Sequence, residues 1–285
     1  MLKALVLGGA TGLLGQALVS VLRQSGAWQV ETLGRKDFAI FEQEALATYL
    51  QQQKPDVIFN TIAYTQVDDA EDHAEQALNV NASFPAMLSR LLCKTSCFLV
   101  HYSTDFVFAR DSQTLPLTEE DQPNPESIYG KTKLAGEEHI FRILPQQAAI
   151  LRTAWLFGPG KKNFISTILQ HARQKKHLTI VADQCGCPTY TLDLARWSAI
   201  VATKRAHGLF HAVNAGQASW FQFAAKAIEI ANIDCLVEPI TSDQWPQKAK
   251  RPKYSVLSTE KLQKLLGNTC QIRPWEQALT EYLTK

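Results

Sequence analysis

Short apolar runs alternate with segments of helical periodicity over residues 1–155. Apolar runs of this length are typical of strands buried on both faces of a parallel sheet. They lie at A4-L-V-L7, W28-Q-V-E-T-L33, D56-V-I-F-N60, F98-L-V-H-Y102 and A149-I-L-R152. Helices are predicted between them, over residues 13–24, 41–50, 74–92 and from about 128 to 144. This alternation predicts an α/β fold with a Rossmann-like, doubly wound parallel sheet.

The pattern changes after about residue 155. Residues 163–173 and 219–230 predict helices, 178–181 predict a strand, and turn-rich pieces lie between them. We therefore predict a cofactor-binding domain over residues 1–155, to which some later segments return. Residues 156–285 are predicted to form mainly a smaller, substrate-binding domain. The chain has no long linker, so the two parts are expected to pack closely.

The composition is ordinary for a globular protein and argues against two kinds of partner. The sequence is 46% hydrophobic and 20% charged, with a net charge of only +2. This balance predicts no nucleic-acid partner and no anionic membrane surface as partner. No apolar run approaches the ~18 residues of a membrane span. The run over residues 4–7 stops at a glycine turn without a signal-peptide cleavage site, which predicts a cytoplasmic location.

The six cysteines are scattered along the chain and predict no disulfide framework. C185-G-C187 has the wrong spacing for a zinc site, and no second pair completes a set of four ligands. We therefore predict reduced thiols and no bound metal.

A glycine-rich turn follows the first strand, in G8-G-A-T-G-L-L-G15. Such a turn lets the backbone approach a pyrophosphate and directs helix N–H groups at it. A glycine-rich loop without a ligand would look similar. Its position between an apolar strand and a helix favours nucleotide binding.

The end of the second strand bears on the choice of cofactor. A cofactor without a 2′-phosphate usually meets an acidic residue there, whereas this chain has Arg35 and Lys36. A guanidinium suits a 2′-phosphate, although an exposed basic turn would give the same residues. We predict NADPH or NADH as the cofactor, with NADPH favoured.

Tyr129 and Lys133 lie four residues apart on a predicted helix, so both project from the same face. An ammonium beside a phenol favours the phenolate and suits proton transfer near neutral pH. Y-x-x-x-K also arises by chance as an exposed pair. However, H101-Y-S-T-D105 ends a predicted strand at the sheet edge that binds ligands. With the glycine turn, these motifs favour a reductase in which the Thr104 hydroxyl holds a carbonyl oxygen.

These motifs resemble those of the dTDP-4-dehydrorhamnose reductases, which belong to the extended short-chain dehydrogenase/reductase superfamily. The resemblance covers nearly the whole chain. Its pieces are G9-A-T-G-L-L-G15, K54-P-D-V-I-F-N60, Y64-T-Q-V-D-D-A-E71, V80-N-A82, V100-H-Y-S-T-D-F-V-F108, Y129-G-K-T-K-L-A-G-E137, L151-R-T-A-W155, D183-Q-C-G-C-P-T189 and R251-P-K-Y-S-V-L257. The resemblance implies NAD(P)H-dependent reduction of the C4 ketone of dTDP-4-dehydro-6-deoxy-L-mannose to dTDP-L-rhamnose.

The resemblance also implies roles for particular residues. Thr104, Tyr129 and Lys133 would be catalytic, and Thr104, Asp105 and Trp155 would contact the dTDP-sugar. Together with the glycine turn and the end of the second strand, it gives these expected cofactor contacts: Gly9, Thr11, Gly12, Leu13, Leu14, Arg35, Ile62, Ala63, Tyr64, Tyr129 and Lys133.

The chain departs from the family pattern in three places. A39-I-F41 replaces a common Asp-Ile-Thr stretch, which points to an altered adenosine side. Ala17 and Leu192 stand where some members carry glutamates that join a dimer through a metal. We expect no such metal, and a homodimer, if one forms, would not be metal-bridged. C185-G-C187 borders the expected sugar site and leaves the exact sugar open.

Two alternative functions remain open, and a third is not expected. A related deoxysugar, such as dTDP-dihydrostreptose, would need the same chemistry. The regulatory subunit of methionine adenosyltransferase resembles this family without catalysing the reduction, although the intact Tyr129 and Lys133 favour an enzyme. Nucleotide-sugar 4,6-dehydratases share the glycine turn and the Y-x-x-x-K pair, but typically read Thr-Asp-Glu where this chain has T104-D-F106. Phe106 cannot transfer a proton, so a dehydratase is not expected.

We predict that kcat/KM is higher with NADPH than with NADH, because a guanidinium at position 35 can pair with the 2′-phosphate. Initial rates with both cofactors at one ketosugar concentration test this. A preference of about tenfold for NADH would contradict the role of Arg35.

Overall fold

The computed structural model describes residues 1–34, 41–110 and 115–285. Its helices are α1 (Leu13–Gln24), α2 (Gln43–Gln53), α3 (Val67–Asp72), α4 (Ala74–Leu78), α5 (Phe84–Leu92), α6 (Ile128–Ile143), α7 (Phe164–Gln174), α8 (Thr191–Thr203), α9 (Trp220–Ile230), α10 (Glu260–Leu266) and α11 (Trp275–Thr284). Its strands are β1 (Leu2–Leu7), β2 (Trp28–Leu33), β3 (Val57–Asn60), β4 (Phe98–Thr104), β5 (Ala148–Thr153), β6 (Leu156–Phe157), β7 (His177–Val181), β8 (Cys185–Gly186), β9 (Thr189–Tyr190), β10 (Gly208–His211), β11 (Ala218–Ser219) and β12 (Leu236–Ile240).

The central sheet has six parallel strands in the order β10-β5-β4-β3-β1-β2. The predicted α/β fold with a parallel sheet is therefore confirmed. Successive strands lie on opposite sides of β1, with β2 on one side and β3 on the other. The strand order reverses at this point, and ligands of open α/β sheets bind at the carboxyl ends of strands beside such a reversal.

Helices cover both faces of this sheet. Alternate side chains of β4 point to opposite faces, as the pleat requires. Phe98, Val100 and Tyr102 belong to the core under α1 and α8, whereas Leu99 belongs to the core under α5 and α6. His101 therefore points to the same side as Leu99, toward α6.

Segments from the later part of the chain also pack on the central sheet. β10 forms its edge strand beside β5, α8 packs against α1 and β4, and α10 packs against α8 and β10. The other late helices form a separate core, in which Phe223 and Trp275 are buried together with Phe157. This second core contains α7, α9 and α11 beside the parallel pair β7–β12. None of the described helices is long and apolar enough to cross a membrane.

Two predicted helices differ from the structure. The helix expected over residues 41–50 begins at Gln43 and continues to Gln53, where Lys54 takes a left-handed conformation with φ 46°. Lys54 precedes Pro55, and a residue before proline avoids the right-handed helical region. The helix expected over residues 74–92 contains a π turn, Asn79–Ser83, between α4 and α5.

α6 lies close to this π turn because its facing residue is a glycine. A Cβ atom on Gly136 would overlap the carbonyl oxygen of Asn81. The side chain of Asn81 also reaches α6, where Nδ2 lies 3.1 Å from the Thr132 hydroxyl. Gly136 therefore allows the helix that carries Tyr129 and Lys133 to approach the π turn.

We predict that Gly136→Ala lowers the free energy of unfolding by about 1–3 kcal/mol, because the added methyl group overpacks a buried backbone contact. Urea denaturation followed by circular dichroism measures the change. Glu138→Ala, at an exposed position of the same helix, is the matched control and should change stability by about 0.5 kcal/mol or less. Equal stability of Gly136→Ala and the unsubstituted chain would contradict this packing account.

Candidate active site

A cleft of about 580 Å³ lies at the carboxyl ends of the central strands. Residues from β4 and β5, the first turn of α1 and the start of α6 line one part of it. Later segments close it with Lys161, Lys162, Trp220 and Arg251. The cleft lies beside the strand-order reversal between β1 and β3, which is the expected ligand position in such a sheet.

The amino-terminal end of α1 faces this cleft. Gly12 is the N-cap and provides no side-chain hydrogen bond, and the first turn has no acidic residue. Gly12, Leu13, Leu14 and Gly15 line the cleft. A Cβ atom on Gly15 would lie only 2.5 Å from the Gly8 carbonyl oxygen, so glycine is required for the tight turn. An uncapped helix end of this kind suits the pyrophosphate of a dinucleotide.

The other expected cofactor residues lie in different places. Ala63 lines the cleft. Ile62 belongs to the hydrophobic core, Gly9 is buried against Thr32, and Thr11 is exposed. Arg35 and Lys36 lie outside the described residues, as do Ala39 and Ile40 of the altered adenosine stretch.

Tyr64 lines a neighbouring groove of about 700 Å³ with Phe41, Val80 and Phe84. The phenol of Tyr64 donates to Asp69, and this bond is the main reason why the pKa of Tyr64 is raised. Asn81 holds the Tyr64 backbone by accepting from its N–H at 2.9 Å and donating to its carbonyl oxygen at 3.2 Å. The π turn therefore fixes the segment that follows β3.

Tyr129 stands in the first turn of α6. Ser127 caps this helix by accepting from the Gly130 N–H at 3.1 Å. A Cβ atom on Gly130 would overlap the Phe106 carbonyl oxygen, so the glycine after Tyr129 lets the helix end approach the end of β4. Burial raises the pKa of Tyr129 to about 12, and a hydrogen bond with Thr104 acts in the opposite direction. The phenol is therefore protonated at neutral pH and can donate a proton.

Lys133 lies one helical turn after Tyr129 and is almost fully buried, with 1% of its surface exposed. Its Nζ donates to the Tyr102 carbonyl oxygen at 2.6 Å and lies 3.5 Å from His101 Nε2. Burial lowers the pKa of Lys133 to about 8. Burial thus shifts both Tyr129 and Lys133 toward their neutral forms, but a pKa of about 8 leaves Lys133 mostly charged at neutral pH. The expectation that its ammonium lowers the pKa of Tyr129 stays a prediction.

Thr104 and Asp105 form a hydrogen-bonded unit at the end of β4. The Thr104 hydroxyl accepts from the Phe106 N–H at 3.2 Å and donates to Asp105 Oδ1 at 3.0 Å. Ser255 donates to Asp105 Oδ2 at 2.6 Å. Burial raises the pKa of Asp105 to about 6, against the effect of these hydrogen bonds. Ser255 belongs to the motif R251-P-K-Y-S-V-L257, but sequence reasoning gave it no role.

Trp155 lines the cleft in a left-handed backbone conformation with φ 45°. Its ring stacks on Trp220 with centroids 3.5 Å apart. A Cβ atom on Gly186 would lie 2.7 Å from the Trp155 ring. The glycine of C185-G-C187 is therefore needed to make room for the indole, and both cysteines are free thiols.

Arg251 is the main cleft residue that sequence reasoning missed. Its guanidinium forms a bidentate pair with Asp68, at 2.9 and 2.6 Å. Asp68 also accepts from the backbone N–H groups of Lys248 and Ala249, at 3.1 and 3.0 Å. The Arg251 pair is the main cause of the lowered pKa of Asp68. This cluster fastens residues 248–251 to the start of α3, across the mouth of the cleft. Its sequence signal was R251-P.

The two positions considered for a bridging metal have apolar surroundings. Ala17 is buried in the core between α1 and the sheet, and Leu192 packs against two hydrophobic cores. Among residues 1–34, 41–110 and 115–285, no three His, Cys, Asp or Glu side chains gather as a metal site. The expectation of a chain without a bridging metal stays a prediction.

Comparisons with known proteins agree with this geometry. The family model for the RmlD substrate binding domain matches residues 3–285. The spore coat polysaccharide biosynthesis protein SpsK of Bacillus subtilis (strain 168) is 35% identical over 285 residues, which cover 99% of this chain and 97% of SpsK. A dTDP-4-dehydrorhamnose reductase of Streptomyces griseus is 35% identical over 279 residues, which cover 96% of this chain and 90% of the relative.

A solved structure is also similar over the full length. The crystal structure of dTDP-4-dehydrorhamnose reductase from Bacillus anthracis str. Ames, in complex with NADP, has 29% sequence identity and a TM-score of 0.93. The match covers 99% of both chains. These comparisons confirm the resemblance inferred from the motifs, and the chain belongs to the family described by the RmlD substrate binding domain.

Proposed function

We propose that this protein is an NAD(P)H-dependent oxidoreductase that reduces the C4 ketone of dTDP-4-dehydro-6-deoxy-L-mannose and forms dTDP-L-rhamnose. The observation that carries the proposal is one cleft that contains Tyr129, Lys133 and Thr104 as well as the uncapped end of α1. The substrate class is supported by the Streptomyces griseus and Bacillus anthracis relatives, which are dTDP-4-dehydrorhamnose reductases.

The cofactor is proposed to bind with its pyrophosphate at the N-terminus of α1, where Gly12, Leu13 and Leu14 line the cleft. When bound, the reduced nicotinamide supplies the hydride. The apolar groove beside Tyr64 offers Phe41 and Val80 to the adenosine side. The preference for NADPH is supported by the NADP in the Bacillus anthracis structure, and the role of Arg35 stays a prediction.

Tyr129 is proposed to protonate the oxygen that becomes the C4 hydroxyl. Its raised pKa keeps the proton available at neutral pH. Thr104 is proposed to orient this phenol through a hydrogen bond that lowers the pKa of Tyr129, while the Thr104 hydroxyl also donates to Asp105 Oδ1. Donation from Thr104 to the ketone oxygen would require its hydrogen to turn away from Asp105. Lys133 lines the cleft next to Tyr129, and its charged ammonium would stabilise the phenolate.

The dTDP part of the substrate is proposed to extend into a second pocket of about 390 Å³, which shares Trp220 and Arg251 with the cleft. Phe164, Ile180 and Trp245 give this pocket an apolar lining suited to a base. Arg251, with Lys161 and Lys162 at the cleft wall, provides positive charge for the diphosphate. Asp105 and Trp155 are proposed to contact the sugar between these two regions.

The cellular setting is also a proposal. Six free cysteines are consistent with a reducing compartment, so we propose that the protein acts in the cytoplasm. A homodimer, if one forms, is proposed to have no bridging metal. The alternatives, a related deoxysugar reductase or a regulatory subunit, are outcomes of the assays below.

Replacing Tyr129 by Phe removes the proposed proton donor and leaves the ring in place. We predict that kcat falls by about 10²–10⁴-fold, with little change in NADPH affinity. Stopped-flow absorbance at the nicotinamide band gives kcat, and fluorescence titration gives the affinity. Tyr49→Phe is the matched control, because it removes a phenol that donates to Glu31 from the distant α2. Near-normal turnover of Tyr129→Phe would exclude this role.

The reaction should consume one NADPH for each ketosugar reduced, because Phe106 occupies the position of a carboxyl group that dehydration needs. Incubation with dTDP-4-dehydro-6-deoxy-L-mannose should give dTDP-L-rhamnose by mass spectrometry and NMR. Release of water from dTDP-glucose without added reductant would indicate a dehydratase. A folded chain that binds NADPH but oxidises none with this ketosugar or related dTDP-ketosugars would indicate a regulatory subunit.

A further inference from the structure

One arginine stands where the cleft meets the pocket proposed for the base. Among the residues that the structure describes, the cleft of about 580 Å³ and the pocket of about 390 Å³ share only Trp220 and Arg251. Arg251 also lines a third cavity of about 510 Å³, together with Lys250 and Lys253. The diphosphate of a substrate whose hexose lies in the cleft and whose base lies in the pocket would therefore lie beside the Arg251 guanidinium.

The Arg251 guanidinium is held by a carboxylate of α3, the helix that follows β3. Nη1 donates to Oδ1 of Asp68 at 2.9 Å, and Nη2 donates to Oδ2 at 2.6 Å. Nη1 also donates to the Ala249 carbonyl oxygen at 3.3 Å. A guanidinium carries donors on both Nη atoms and on Nε. The second Nη2 hydrogen and the Nε hydrogen have no partner among the described residues, so both can bind a ligand.

Asp68 is itself fixed, because both of its carboxylate oxygens accept hydrogen bonds. Besides the guanidinium, Oδ1 accepts from the backbone N–H groups of Lys248 and Ala249, at 3.1 and 3.0 Å. The pair with Arg251 is the main cause of the lowered pKa of Asp68, so the carboxylate is ionised at neutral pH. It therefore holds both the guanidinium and the backbone of residues 248–251, which we call the strap, against α3.

The position of Asp68 is set by the central sheet. Asp68 lies in the first turn of α3, shortly after β3. Asn81 holds the segment between them through the Tyr64 backbone, at 2.9 and 3.2 Å. The neighbouring Val67 lines the cleft. The ion pair to Asp68 therefore ties Arg251 to the sheet whose strand ends form the cleft.

We propose that Asp68 is a positioning residue for the substrate diphosphate: it holds the Arg251 guanidinium at the junction of the two cavities, with Nε and Nη2 donors left for the phosphates. An arginine side chain that is free in solution loses rotamer freedom when it binds an anion, whereas one held by a carboxylate has lost this freedom beforehand. A bidentate pair suits this purpose because it fixes the plane of the guanidinium as well as its distance. The inference rests on the proposed function for its ligand, a nucleoside diphosphate.

The opposite role, in which Asp68 competes with the diphosphate for Arg251, fits these contacts less well. A phosphate that displaced Asp68 would break the backbone hydrogen bonds from Lys248 and Ala249 as well as the guanidinium pair. The unused donors of Arg251 make such a displacement unnecessary. The two roles predict opposite effects of removing the Asp68 charge, so binding measurements distinguish them.

Two further ion pairs hold the strap, and one of them provides a matched control. Lys248 pairs with Asp72 of α3, and Lys250 pairs with Glu126 before α6 at 2.9 Å. Both lysine side chains are 64% exposed, and exposed pairs of this kind contribute little to stability. Neither Lys248 nor Asp72 lines the cleft or the pocket for the base. Asp72→Asn therefore removes the same charge from the same helix and leaves the Arg251 pair in place.

Isothermal titration calorimetry with dTDP tests the role of Asp68 without any turnover. We expect Asp68→Asn to raise the Kd for dTDP by about tenfold, within the range of coupling between contacting residues. Charge alone predicts the opposite sign, because the variant removes a negative charge near the diphosphate. Asp72→Asn should not weaken dTDP binding. An equal or lower Kd in Asp68→Asn, the same loss in Asp72→Asn, or no binding of dTDP to the unsubstituted chain would overturn the proposal.

Arg251→Lys separates positioning of the guanidinium from support of the strap, because it keeps the charge but lacks the planar fork. This variant should also bind dTDP about tenfold more weakly, and unchanged affinity would overturn the proposal even if Asp68→Asn did not fold. Adding Asp68→Asn to Arg251→Lys should change the Kd by less than about twofold, because the carboxylate then has no guanidinium to hold. A further tenfold loss would show that Asp68 acts through the strap backbone, against the proposal.

Kinetics separate this inference from the proposed function. In Asp68→Asn, KM for the ketosugar should rise by about tenfold and kcat should stay within about twofold, because Arg251 binds a part of the substrate that does not react. A fall in kcat with unchanged KM would contradict the positioning role. If the unsubstituted chain binds dTDP but reduces no dTDP-ketosugar, the proposed function is rejected, and calorimetry still decides the role of Asp68.

Discussion

The burial of β4 between two parallel neighbours is the constraint on which the site depends. All seven residues of this strand are buried, and its polar carboxyl end must therefore find partners inside the protein. His101 finds Asn60 and Lys133, while Thr104 finds Asp105. A strand that packed only apolar side chains would tolerate small shifts. These directed hydrogen bonds instead hold the first turn of α6 and the end of β4 in one geometry.

Two glycines of α6 allow this arrangement, because each removes a Cβ atom from a close backbone contact. Gly130 faces the Phe106 carbonyl oxygen after β4, and Gly136 faces the Asn81 carbonyl oxygen in the π turn. The helix therefore approaches the sheet at its start and the π turn near its middle. Tyr129 directly precedes the first of these glycines, and Lys133 lies between the two. The positions of both residues are therefore set by the backbone as well as by their own side chains.

Much of the fold was predictable from local sequence patterns. The buried strands produce continuous apolar runs, and the pair Tyr129 and Lys133 is spaced by one helical turn, so both signals lie within a few residues. Partners that are far apart in the chain gave no such signal. Ser255 meets Asp105 across 150 positions, and Arg251 meets Asp68 across 183. Their pairing is decided by how the later segments fold over the cleft, which no local periodicity reports.

The protonation of the buried pair follows from the same lack of solvent. From the sequence, Lys133 is expected to be an ammonium beside a phenol, since that is its state in water. In the fold, both groups lose solvation, and their pKa values move to about 12 for Tyr129 and about 8 for Lys133. Burial therefore favours the neutral form of each group, but a lysine with a pKa of about 8 is still mostly charged at neutral pH.

The proposed proton donation by Tyr129 to the ketone oxygen would change this balance, because it leaves a phenolate where no charge was present. A single buried anion is unfavourable in a region of low dielectric constant, but an anion next to a cation is much less so. With a pKa of about 8, Lys133 is mostly protonated at neutral pH and can supply this cation when the phenolate forms. The phenolate and the ammonium then form a pair with zero net charge.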